Sequence, residues 1–425
     1  MWGLYQIAFG LALALAGPWL VLARGKHYLP TLAGRLGRGS ATSPAGALWL
    51  HAVSVGEVGV AATLAGALPA DAPLLVTTIT PTGQDRARRL LARRGAVDYL
   101  PFDLGFALAR FFRRHDPRGL VLVEGDYWPL VLRAAGRRGM PIAVANGRVS
   151  DRAYPRLRRA RSIVRRLLFD RVERFAVQSP IDRERLIALG VAPEKVAVTG
   201  NLKFETAEPA LAADLDRYLE TAAAGRPVVL AGSTMPGEEE VLLAAFAAAG
   251  GPQRALLVLA PRHPERFAEA QAIAERRFPR VARRSAGAPA SPPDVLLLDT
   301  LGELAALYRR ATVAFVGGTL APTGGHNPIE AARFGVPVLV GPSMENFREI
   351  AELFDAAGAW LRVADAAGLG RALDRLLADE GARRALGERA ATLVESHRGA
   401  LARTVAWLAP WFAPSAGRGD AEAGG

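Results

Sequence analysis

Short apolar runs alternate along most of the chain with longer segments of helical period. The first six runs lie at residues 48–54, 73–80, 119–124, 141–146, 174–179 and 195–200. Apolar runs joined in this way are typical of a parallel sheet that is covered by helices on both faces. The pattern therefore predicts a doubly wound α/β domain, to which we assign residues 46–204.

The same pattern restarts after a charged, alanine-rich stretch at residues 205–225. The second series of apolar runs lies at residues 227–232, 255–261, 294–299, 311–318 and 336–342. Because 425 residues are too many for one hydrophobic core, the restart indicates a second doubly wound domain facing the first across a cleft. The predicted bounds are a hinge at 205–225, a second domain at 226–395, a helix at 396–412 and a disordered tail at 413–425.

The N-terminal segment carries no charged residue from Trp2 to Ala23. A stretch of about 20 apolar residues suffices to span a bilayer, and basic residues follow this one at once. We predict a membrane-anchor helix at residues 1–24 and a linker at 25–45, with the remaining chain on the cytoplasmic side. A signal peptide would carry a basic region before the apolar stretch, which is missing here. Gly17 and Pro18 also permit a helix that lies in the interface, so spanning and interfacial attachment both stay open.

The composition excludes several kinds of chemistry. The chain has no cysteine, which removes disulfides, thiolate nucleophiles and cysteine-bound zinc, and its six histidines show no metal-binding spacing. No Walker loop and no dinucleotide-binding glycine fingerprint is present. We therefore predict no metal and no cofactor.

A net charge of +12 favours anionic partners, although solvated arginines on the surface explain such a charge equally well. Nine of the arginines lie in residues 151–175. If this segment is helical, it presents cations to anionic headgroups or to the phosphates of a substrate, with Arg158, Arg159, Arg165 and Arg166 as the candidates. No nucleic-acid-binding motif is present, so we predict no nucleic-acid partner.

Polar residues that directly follow buried strands are the candidates for chemistry, because ligands bind at the carboxyl ends of parallel strands. In the first domain these candidates are Glu57, Glu124 and Lys203. Glu57 starts a helix and can accept a proton from a hydroxyl, although a first-turn glutamate is also an ordinary feature of helices. Lys203 suits a phosphate leaving group, or is a surface charge near the hinge.

In the second domain, the candidates are grouped after three strands. Ser233 and Thr234 form a strand-to-helix turn that offers hydroxyl and N–H groups to an anion. Arg262 and His263 follow the next strand and can meet a phosphate or a base edge.

The stretch "GGTLAPTGGHNPIEAARFGVPVLVGP", residues 317–342, has more glycines than a connection needs. Glycines at a strand end let backbone approach a ligand, which makes Gly317, Gly318 and Thr319 candidates. Asn327 can cap a helix with Pro328 at its first position. That helix would carry Ile329 and Glu330, its N–H groups facing a phosphate and its glutamate accepting from ribose hydroxyls.

Seven segments together resemble the 3-deoxy-D-manno-octulosonic acid (Kdo) transferases of lipopolysaccharide assembly. They are "HAVSVGE", "TTITPTG", "EGDYWP", "GNLKF", "AGSTMPGEEE", "LAPRHPERF" and the stretch at 317–342, and they follow the family's order. The sequence departs from the family at Gly125, where we expect threonine, and at Met235, where histidine is frequent.

The resemblance implies a GT-B fold of two Rossmann-like domains and an inverting glycosyltransferase at the bacterial inner membrane. It implies CMP-Kdo as the donor and a tetraacylated lipid A precursor, lipid IVA, as the acceptor. Glu57 would be the general base, while Glu124 and Lys203 would stabilise the transition state. The CMP moiety would be held by Arg262, His263, Gly317, Gly318, Thr319, Asn327, Pro328, Ile329 and Glu330.

Two other functions remain open at this point. One is a different GT-B transferase, or an epimerase, that uses a UDP-sugar. The other is a non-catalytic protein of the membrane surface that binds a nucleotide or a lipid.

Overall fold

The computed structural model describes residues 2–39, 41–205 and 209–412. The chain divides into two compact units. Unit 1 comprises Met1–Thr206 and Arg398–Gly425, and unit 2 comprises Ala207–His397. The division falls inside the predicted hinge, but the C-terminal segment belongs to the first unit, which the sequence pattern did not predict.

Unit 1 is built on a seven-stranded parallel sheet with the order β3-β2-β1-β4-β5-β6-β7. Its strands are β1 (Leu48–His51), β2 (Leu74–Thr78), β3 (Gly95–Tyr99), β4 (Gly119–Val123), β5 (Ile142–Gly147), β6 (Arg174–Val177) and β7 (Val196–Val198). The six predicted strands are present. The seventh, β3, was missed because it is an edge strand that is only partly buried.

Alternate residues of these strands enter two separate hydrophobic cores, one on each face of the sheet. Trp49, Leu122 and Phe175 pack on one face, whereas Leu50 and Val121 pack on the other. Burial on both faces is the reason that the strands are continuous apolar runs instead of an alternation.

Helices cover both faces of the sheet in unit 1. They are α1 (Trp2–Tyr28), α2 (Leu32–Arg35), α3 (Val55–Gly66), α4 (Pro81–Leu91), α5 (Gly105–Arg114), α6 (Pro129–Arg137), α7 (Tyr154–Arg159), α8 (Arg161–Val164) and α9 (Pro180–Ala188). The arginine-rich segment is not one helix, because α7 and α8 are followed by a π-helical turn at Arg165–Phe169.

Unit 2 repeats this architecture with a parallel sheet of order β10-β11-β9-β8-β12-β13-β14. Its strands are β8 (Val228–Thr234), β9 (Leu256–Pro261), β10 (Val281–Arg283), β11 (Val295–Leu297), β12 (Val313–Val316), β13 (Val338–Val340) and β14 (Leu361–Arg362). The two strands that the sequence pattern missed, β10 and β14, are the short edge strands of this sheet.

The helices of unit 2 begin inside the segment predicted as a hinge. They are α10 (Ala213–Ala223), α11 (Glu238–Ala248), α12 (Phe267–Glu275), α13 (Leu304–Leu307), α14 (Ile329–Ala332), α15 (Arg348–Ala356), α16 (Ala366–Ala378) and α17 (Glu380–Ser396). Helix α10 is part of the unit, because Leu215 and Leu219 are buried and the Tyr218 hydroxyl donates to the Arg283 carbonyl at 3.2 Å.

The predicted C-terminal helix is two helices, α18 (Ala400–Trp407) and α19 (Ala409–Phe412), which pack on unit 1. Trp411 Nε1 donates to the Pro141 carbonyl at 3.1 Å, and Thr404 Oγ1 bonds Thr199 Oγ1 at 2.9 Å. Buried aromatic and hydroxyl groups therefore hold the chain end against the first sheet. The predicted tail at 413–425 lies outside the described residues.

The predicted linker at 25–45 is folded in its described part. Helix α1 continues to Tyr28, a 3₁₀ turn covers Leu29–Thr31, and α2 ends at Arg35. Arg35 is buried, and the backbone N–H of Ser43 donates to His115 Nδ1 at 3.2 Å. Two glycines of this segment pack against the sheet edge, since a Cβ on Gly34 or Gly39 would lie 3.1 Å or 2.4 Å from the carboxylate of Asp98.

Among the described residues, no helix combines the length and the apolar character needed to cross a membrane. The prediction that residues 1–24 form a membrane-anchor helix is therefore not supported as a membrane span.

Candidate active site

Each sheet has one topological switch point, where consecutive connections run to opposite faces and open a crevice at the strand ends. In unit 1 this point lies between β1 and β4, and in unit 2 it lies between β8 and β12. The residues predicted from the strand ends cluster at these two points.

Glu57 lies in the first turn of α3, directly after β1. Ser54 is the N-cap residue of that helix. Glu57 Oε2 accepts a hydrogen bond from the backbone N–H of Val53 at 2.8 Å, and Oε1 accepts from Ser54 Oγ at 3.0 Å. The carboxylate is therefore held in one orientation at the switch point, with part of the side chain still exposed.

Burial raises the pKa of Glu57 above the usual value for a glutamate, and the negative charge of Glu124 raises it further. The hydrogen bonds from Val53 and Ser54 act in the opposite direction, as does the nearby His51. A carboxylate whose pKa is raised toward neutrality is a better proton acceptor than an ordinary surface glutamate. The arrangement thus favours the general-base interpretation over an ordinary first-turn residue.

Glu124 and Lys203 form an ion pair, with Lys203 Nζ 2.6 Å from Glu124 Oε1. Both side chains are largely buried, with exposed fractions of 21% for the lysine and 14% for the glutamate. The sequence placed both residues at strand ends, and the structure brings them together. Lys203 is therefore not an isolated surface cation, since its ammonium group is paired with Glu124 and held in position by it.

Two residues at this edge have left-handed backbone conformations, Glu124 with φ of 66° and Asn146 with φ of 56°. Such conformations cost about 1–3 kcal/mol for residues other than glycine and concentrate at functional sites. Asn146 Oδ1 accepts from the Leu202 N–H at 2.8 Å, which fixes the backbone before Lys203. Asn146 lies near the carboxyl end of β5, where polar residues are candidates, although no role was predicted for it.

A second polar pair, His51 and Asp126, joins the ends of β1 and β4 near Glu57. Asp126 follows β4, where polar residues are candidates, but no role was predicted for either residue. His51 Nε2 is 3.2 Å from Asp126 Oδ2, and its Nδ1 is 2.9 Å from Thr77 Oγ1. The indole of Trp128 donates to the same Asp126 oxygen at 2.6 Å. Because His51 is almost fully buried, this pair orders the strand ends of β1 and β4 around the carboxylate.

In unit 2, a single buried carboxylate organises the loop after β12. Glu238, 1% exposed, accepts five backbone N–H bonds of 2.7–3.2 Å. The donors are the N–H groups of Met235, Gly318, Thr319, Leu320 and Ala321. The backbone of Gly318 and Thr319, expected to face the donor, thus has an internal partner.

Several glycines of this stretch lie so close to neighbouring protein groups that a larger residue would not fit. A Cβ at Gly317 would lie 2.2 Å from the Ser233 carbonyl oxygen, and one at Gly341 would lie 2.2 Å from the Thr319 carbonyl oxygen. Gly318, Gly324 and Gly325 have positive φ angles of 70°, 90° and 75°. The high glycine content is therefore explained by close packing of this stretch against neighbouring backbone. The sequence pattern had instead been interpreted as the close approach of a ligand.

Thr234 is fully buried, and its hydroxyl donates to Glu239 Oε1 at 2.9 Å. Glu239 is also paired with Arg266, whose Nη1 lies 2.7 Å from the same oxygen. Ser233 differs, because it is partly exposed and has a left-handed φ of 57° at an irregularity between β8 and β9. Of the two predicted hydroxyls, the Ser233 hydroxyl is the one that is not enclosed.

Arg262, His263 and His326 lie near one another and bring together a guanidinium and two imidazoles. Arg262 is exposed and has no carboxylate partner in the described part of the chain. Burial lowers the pKa of His326 to about 4, and the charges of Arg262 and His263 contribute to this shift. Its Nε2 is buried without a hydrogen-bond partner in the described chain. His326, which was not predicted as a site residue, is thus a neutral imidazole beside a free guanidinium.

Asn327 and Glu330 lie together after this cluster. Asn327 Oδ1 accepts from the Ile329 N–H at 3.1 Å, and its Nδ2 lies 3.5 Å from Glu330 Oε1. The helix α14 starts at Ile329, one residue later than predicted, and Pro328 is its N-cap. Since α14 has only four residues, its dipole offers a phosphate less than a long helix would.

The four arginines predicted for acceptor or membrane contact are all exposed. Arg158 and Arg159 end α7, and Arg165 and Arg166 lie in the π-helical turn. Arg165 is 3.4 Å from Asp170. No group of three potential metal-ligating side chains occurs within residues 2–39, 41–205 and 209–412.

Comparison with known proteins assigns both halves of the chain. Residues 31–206 match the family model described as 3-deoxy-D-manno-octulosonic-acid transferase (kdotransferase), and residues 293–393 match glycosyl transferases group 1. The chain is 38% identical to the 3-deoxy-D-manno-octulosonic acid transferase of Bordetella pertussis, covering 89% of this chain and 91% of that protein. Its identity to the Haemophilus influenzae enzyme of the same name is 33%, covering 92% and 94%.

A solved structure supports the fold. The UDP-GlcNAc 2-epimerase from Neisseria meningitidis bound to UDP-GlcNAc superposes with a TM-score of 0.56 at 14% identity, covering 86% of this chain and all of that one. The likeness shows a GT-B type of fold with two Rossmann-like units. The sequence relatives identify the protein as a glycosyltransferase that belongs to the 3-deoxy-D-manno-octulosonic acid (Kdo) transferase family.

Proposed function

We propose that the protein is an inverting glycosyltransferase that moves Kdo from CMP-Kdo to a lipid A precursor, lipid IVA, in lipopolysaccharide biosynthesis. Membership of the Kdo transferase family supports the transferred sugar. The observation that carries the mechanism is Glu57, a partly buried carboxylate with a raised pKa that is held at the switch point of unit 1.

Glu57 acts as the general base on an acceptor hydroxyl. Its Oε2 is fixed by the Val53 N–H, so the carboxylate is positioned before the substrate arrives. The deprotonated oxygen attacks the anomeric carbon of Kdo from the face opposite the phosphate. Inversion follows from this single displacement, and no covalent intermediate on the enzyme is formed.

The leaving CMP gains negative charge, and each unit has a cation suited to neutralising such a charge. In unit 2, Arg262 is the exposed guanidinium without a carboxylate partner in the described chain, and His326 offers a neutral imidazole beside it. In unit 1, Lys203 is held by Glu124, and the pair supports the transition state. A single phosphate carries less charge than a diphosphate, so these groups suffice without a metal ion or another cofactor.

The nucleoside of CMP is bound by the residues after β9 and β12. His263 approaches the base or the phosphate, and Ser233 adds a hydroxyl. The Glu330 carboxylate accepts from the ribose hydroxyls, and the Asn327 amide donates to the nucleoside. Gly317, Gly318 and Thr319 contribute by shaping the pocket, because the N–H groups of Gly318 and Thr319 are bonded to Glu238.

We further propose that the protein works at the cytoplasmic face of the bacterial inner membrane. Helix α1 exposes Ile7, Leu11 and Leu15, with exposed fractions of 63%, 59% and 80%. These residues are four apart and share one helix face, which suits insertion into the interfacial layer. The exposed arginines of residues 151–175 would add attraction to anionic headgroups.

Mass spectrometry of the products from CMP-Kdo and lipid IVA tests the proposed reaction. We expect the acceptor mass to increase by Kdo units with the wild type, and only at a trace rate with Glu57→Gln. The same assay with UDP-sugars tests the alternative donor, and wild-type transfer from a UDP-sugar but not from CMP-Kdo would refute the proposal. Binding of CMP by Glu57→Gln, measured by calorimetry, shows that the variant is folded.

A further inference from the structure

A cavity of about 280 Å³ lies in unit 1 between α1 and the carboxyl ends of the strands. It is lined by Phe9, Ala12, Leu13, Gly17, Arg35, Ile79, Leu100, Pro101, Phe102 and Trp128. Apart from the guanidinium of Arg35 and the indole N–H of Trp128, the lining consists of apolar side chains and one glycine. The volume is at the low end for ligand pockets, which suits one part of a ligand such as a single hydrocarbon chain.

Arg35 is a buried cation in this cavity wall, and no carboxylate among the described residues pairs with it. Its Nε donates to Thr31 Oγ1 at 2.9 Å, and its Nη2 donates to the carbonyl oxygen of Ile79. The guanidinium also lies 5.5–5.8 Å from the ring centroids of Tyr28, Tyr99 and Phe102. Aromatic rings and neutral acceptors soften the cost of burying this charge, but they supply no counter-ion.

A buried charge is normally paired, so an unpaired guanidinium in the wall of an apolar cavity indicates an anionic partner that also has apolar surface. Inorganic phosphate would satisfy Arg35 but not the rest of the lining. A neutral hydrocarbon would leave the charge unpaired. A chain with an anionic group meets both demands.

The cavity is connected to the proposed base through two short relays. The Ile79 N–H donates to the Val53 carbonyl at 3.4 Å, and the Val53 N–H in turn donates to Glu57. On the other side, Trp128 donates to Asp126 at 2.6 Å, and Asp126 meets His51. The cavity wall and the groups around Glu57 are therefore parts of the same strand-end framework.

We infer that this cavity binds one acyl chain of the anionic lipid acceptor, with Arg35 facing a negatively charged group of that lipid. The inference rests on the proposed function for the identity of the acceptor and extends it by placing a specific acyl subsite beside the base. The acyl chain in the cavity orients the acceptor sugar at Glu57.

The first experiment plugs the cavity with Leu13→Trp. Its matched control is Leu90→Trp, an identical substitution on α4 of the same unit, where the side chain is 49% exposed. Transfer is assayed with lipid IVA and with its deacylated form, in detergent without phospholipid. We expect Leu13→Trp to raise KM for lipid IVA about tenfold or more and to leave the deacylated acceptor unaffected. An equal effect on both acceptors, or none on lipid IVA, overturns the inference.

The second experiment measures ligand binding to the cavity in the absence of turnover. cis-Parinaric acid, a fluorescent fatty acid with one carboxylate, is titrated into the wild type, Leu13→Trp, Arg35→Lys and Arg35→Met. We expect saturable binding to the wild type and to Arg35→Lys, and binding at least about tenfold weaker for the other two. Lipid IVA should displace the probe, whereas dihexanoyl phosphatidylglycerol should not, which separates an acceptor chain from a membrane lipid.

These measurements separate the two proposals. If the wild type transfers Kdo to neither acceptor but binds the probe at the cavity, the proposed function fails and the lipid subsite stands. If transfer proceeds but the wild type binds no probe, or Leu13→Trp binds it as well as the wild type, the subsite is refuted. Calorimetry with CMP and thermal unfolding show whether Arg35→Met is folded. If it is not, Arg35→Lys and Leu13→Trp decide.

Discussion

Two glutamates occupy equivalent places in the two units and serve different purposes. Glu57 and Glu238 each lie in the first turn of the helix that follows the switch-point strand, as the last residue of "SVGE" in unit 1 and of "MPGE" in unit 2. Glu57 accepts from one backbone N–H and one hydroxyl and stays partly exposed. Glu238 accepts from five backbone N–H groups and is enclosed.

The difference shows that a glutamate at the same place in the fold can serve either as a proton acceptor or as the group that holds a loop in place. A carboxylate saturated by five N–H donors has little capacity left for a substrate proton, and removing it would leave those donors unpaired. A carboxylate with two donors, near the like charge of Glu124, keeps oxygen lone pairs available and a raised pKa. The following experiments test this contrast between Glu57 and Glu238.

The largest effect is expected for Glu57→Gln. Loss of a general base typically costs about 10²–10⁴-fold in rate, so kcat should fall by that factor while the free energy of unfolding stays within about 1 kcal/mol. Steady-state kinetics with lipid IVA and urea unfolding measure the two quantities. A variant with near wild-type kcat would remove the base assignment.

Glu238→Gln should show the opposite balance. The amide replaces one acceptor oxygen with a donor that faces backbone N–H groups, so we expect a loss of about 2–4 kcal/mol in unfolding free energy. Donor KM should rise because the loop at 317–325 is released. Glu240→Gln is the control, since that neighbouring side chain is 53% exposed. Unchanged stability in Glu238→Gln would mean that the loop does not depend on the carboxylate.

An intermediate effect is expected for the ion pair at the unit 1 edge. A double-mutant cycle with Glu124→Gln and Lys203→Met, measured on kcat/KM, should give a coupling energy of roughly 0.5–3 kcal/mol. Removal of one partner leaves the other largely buried and unpaired, so each single variant should cost more than half of the double variant. Additive effects would show that the two residues act independently.

The smallest effect is a shift in the pH profile. The base must be ionised, so kcat/KM should rise with pH through the folded pKa of Glu57, which burial places above the usual value. The negative charge of Glu124 also raises this pKa. Glu124→Gln should therefore move the acid limb to lower pH, by about one unit or less. A shift to higher pH would contradict the electrostatic coupling between the two carboxylates.

The fold could be predicted from the sequence because each strand and helix leaves a local pattern of apolar residues. The apolar runs predicted eleven strands, and the structure adds the edge strands β3, β10 and β14, whose lower burial weakens the pattern. The segment at 25–45 was interpreted as a linker from its glycines and arginines. Its order depends on contacts of Arg35 with Ile79 and of Ser43 with His115, which are distant in sequence, and composition does not show such contacts.

The site residues divide in the same way. Glu57, Glu124 and Lys203 were predicted because they follow strands, and the structure brings Glu124 and Lys203 into contact. No role was predicted for His51, Asn146, Glu238 or His326. A buried polar residue shows its role only through its partners, and the partner of Glu238 is a loop about 80 residues away in sequence.

The sequence by itself determined two parallel sheets with helices on both faces, the strand ends where chemistry is placed and the family to which the chain belongs. Hydrophobic periodicity and motif order are local properties, so they can be followed along the chain. Only the tertiary structure decided which carboxylate is saturated by N–H donors, which one keeps a raised pKa, and which buried cation has no carboxylate partner among the described residues. Desolvation and hydrogen bonding depend on groups that folding brings together from distant positions.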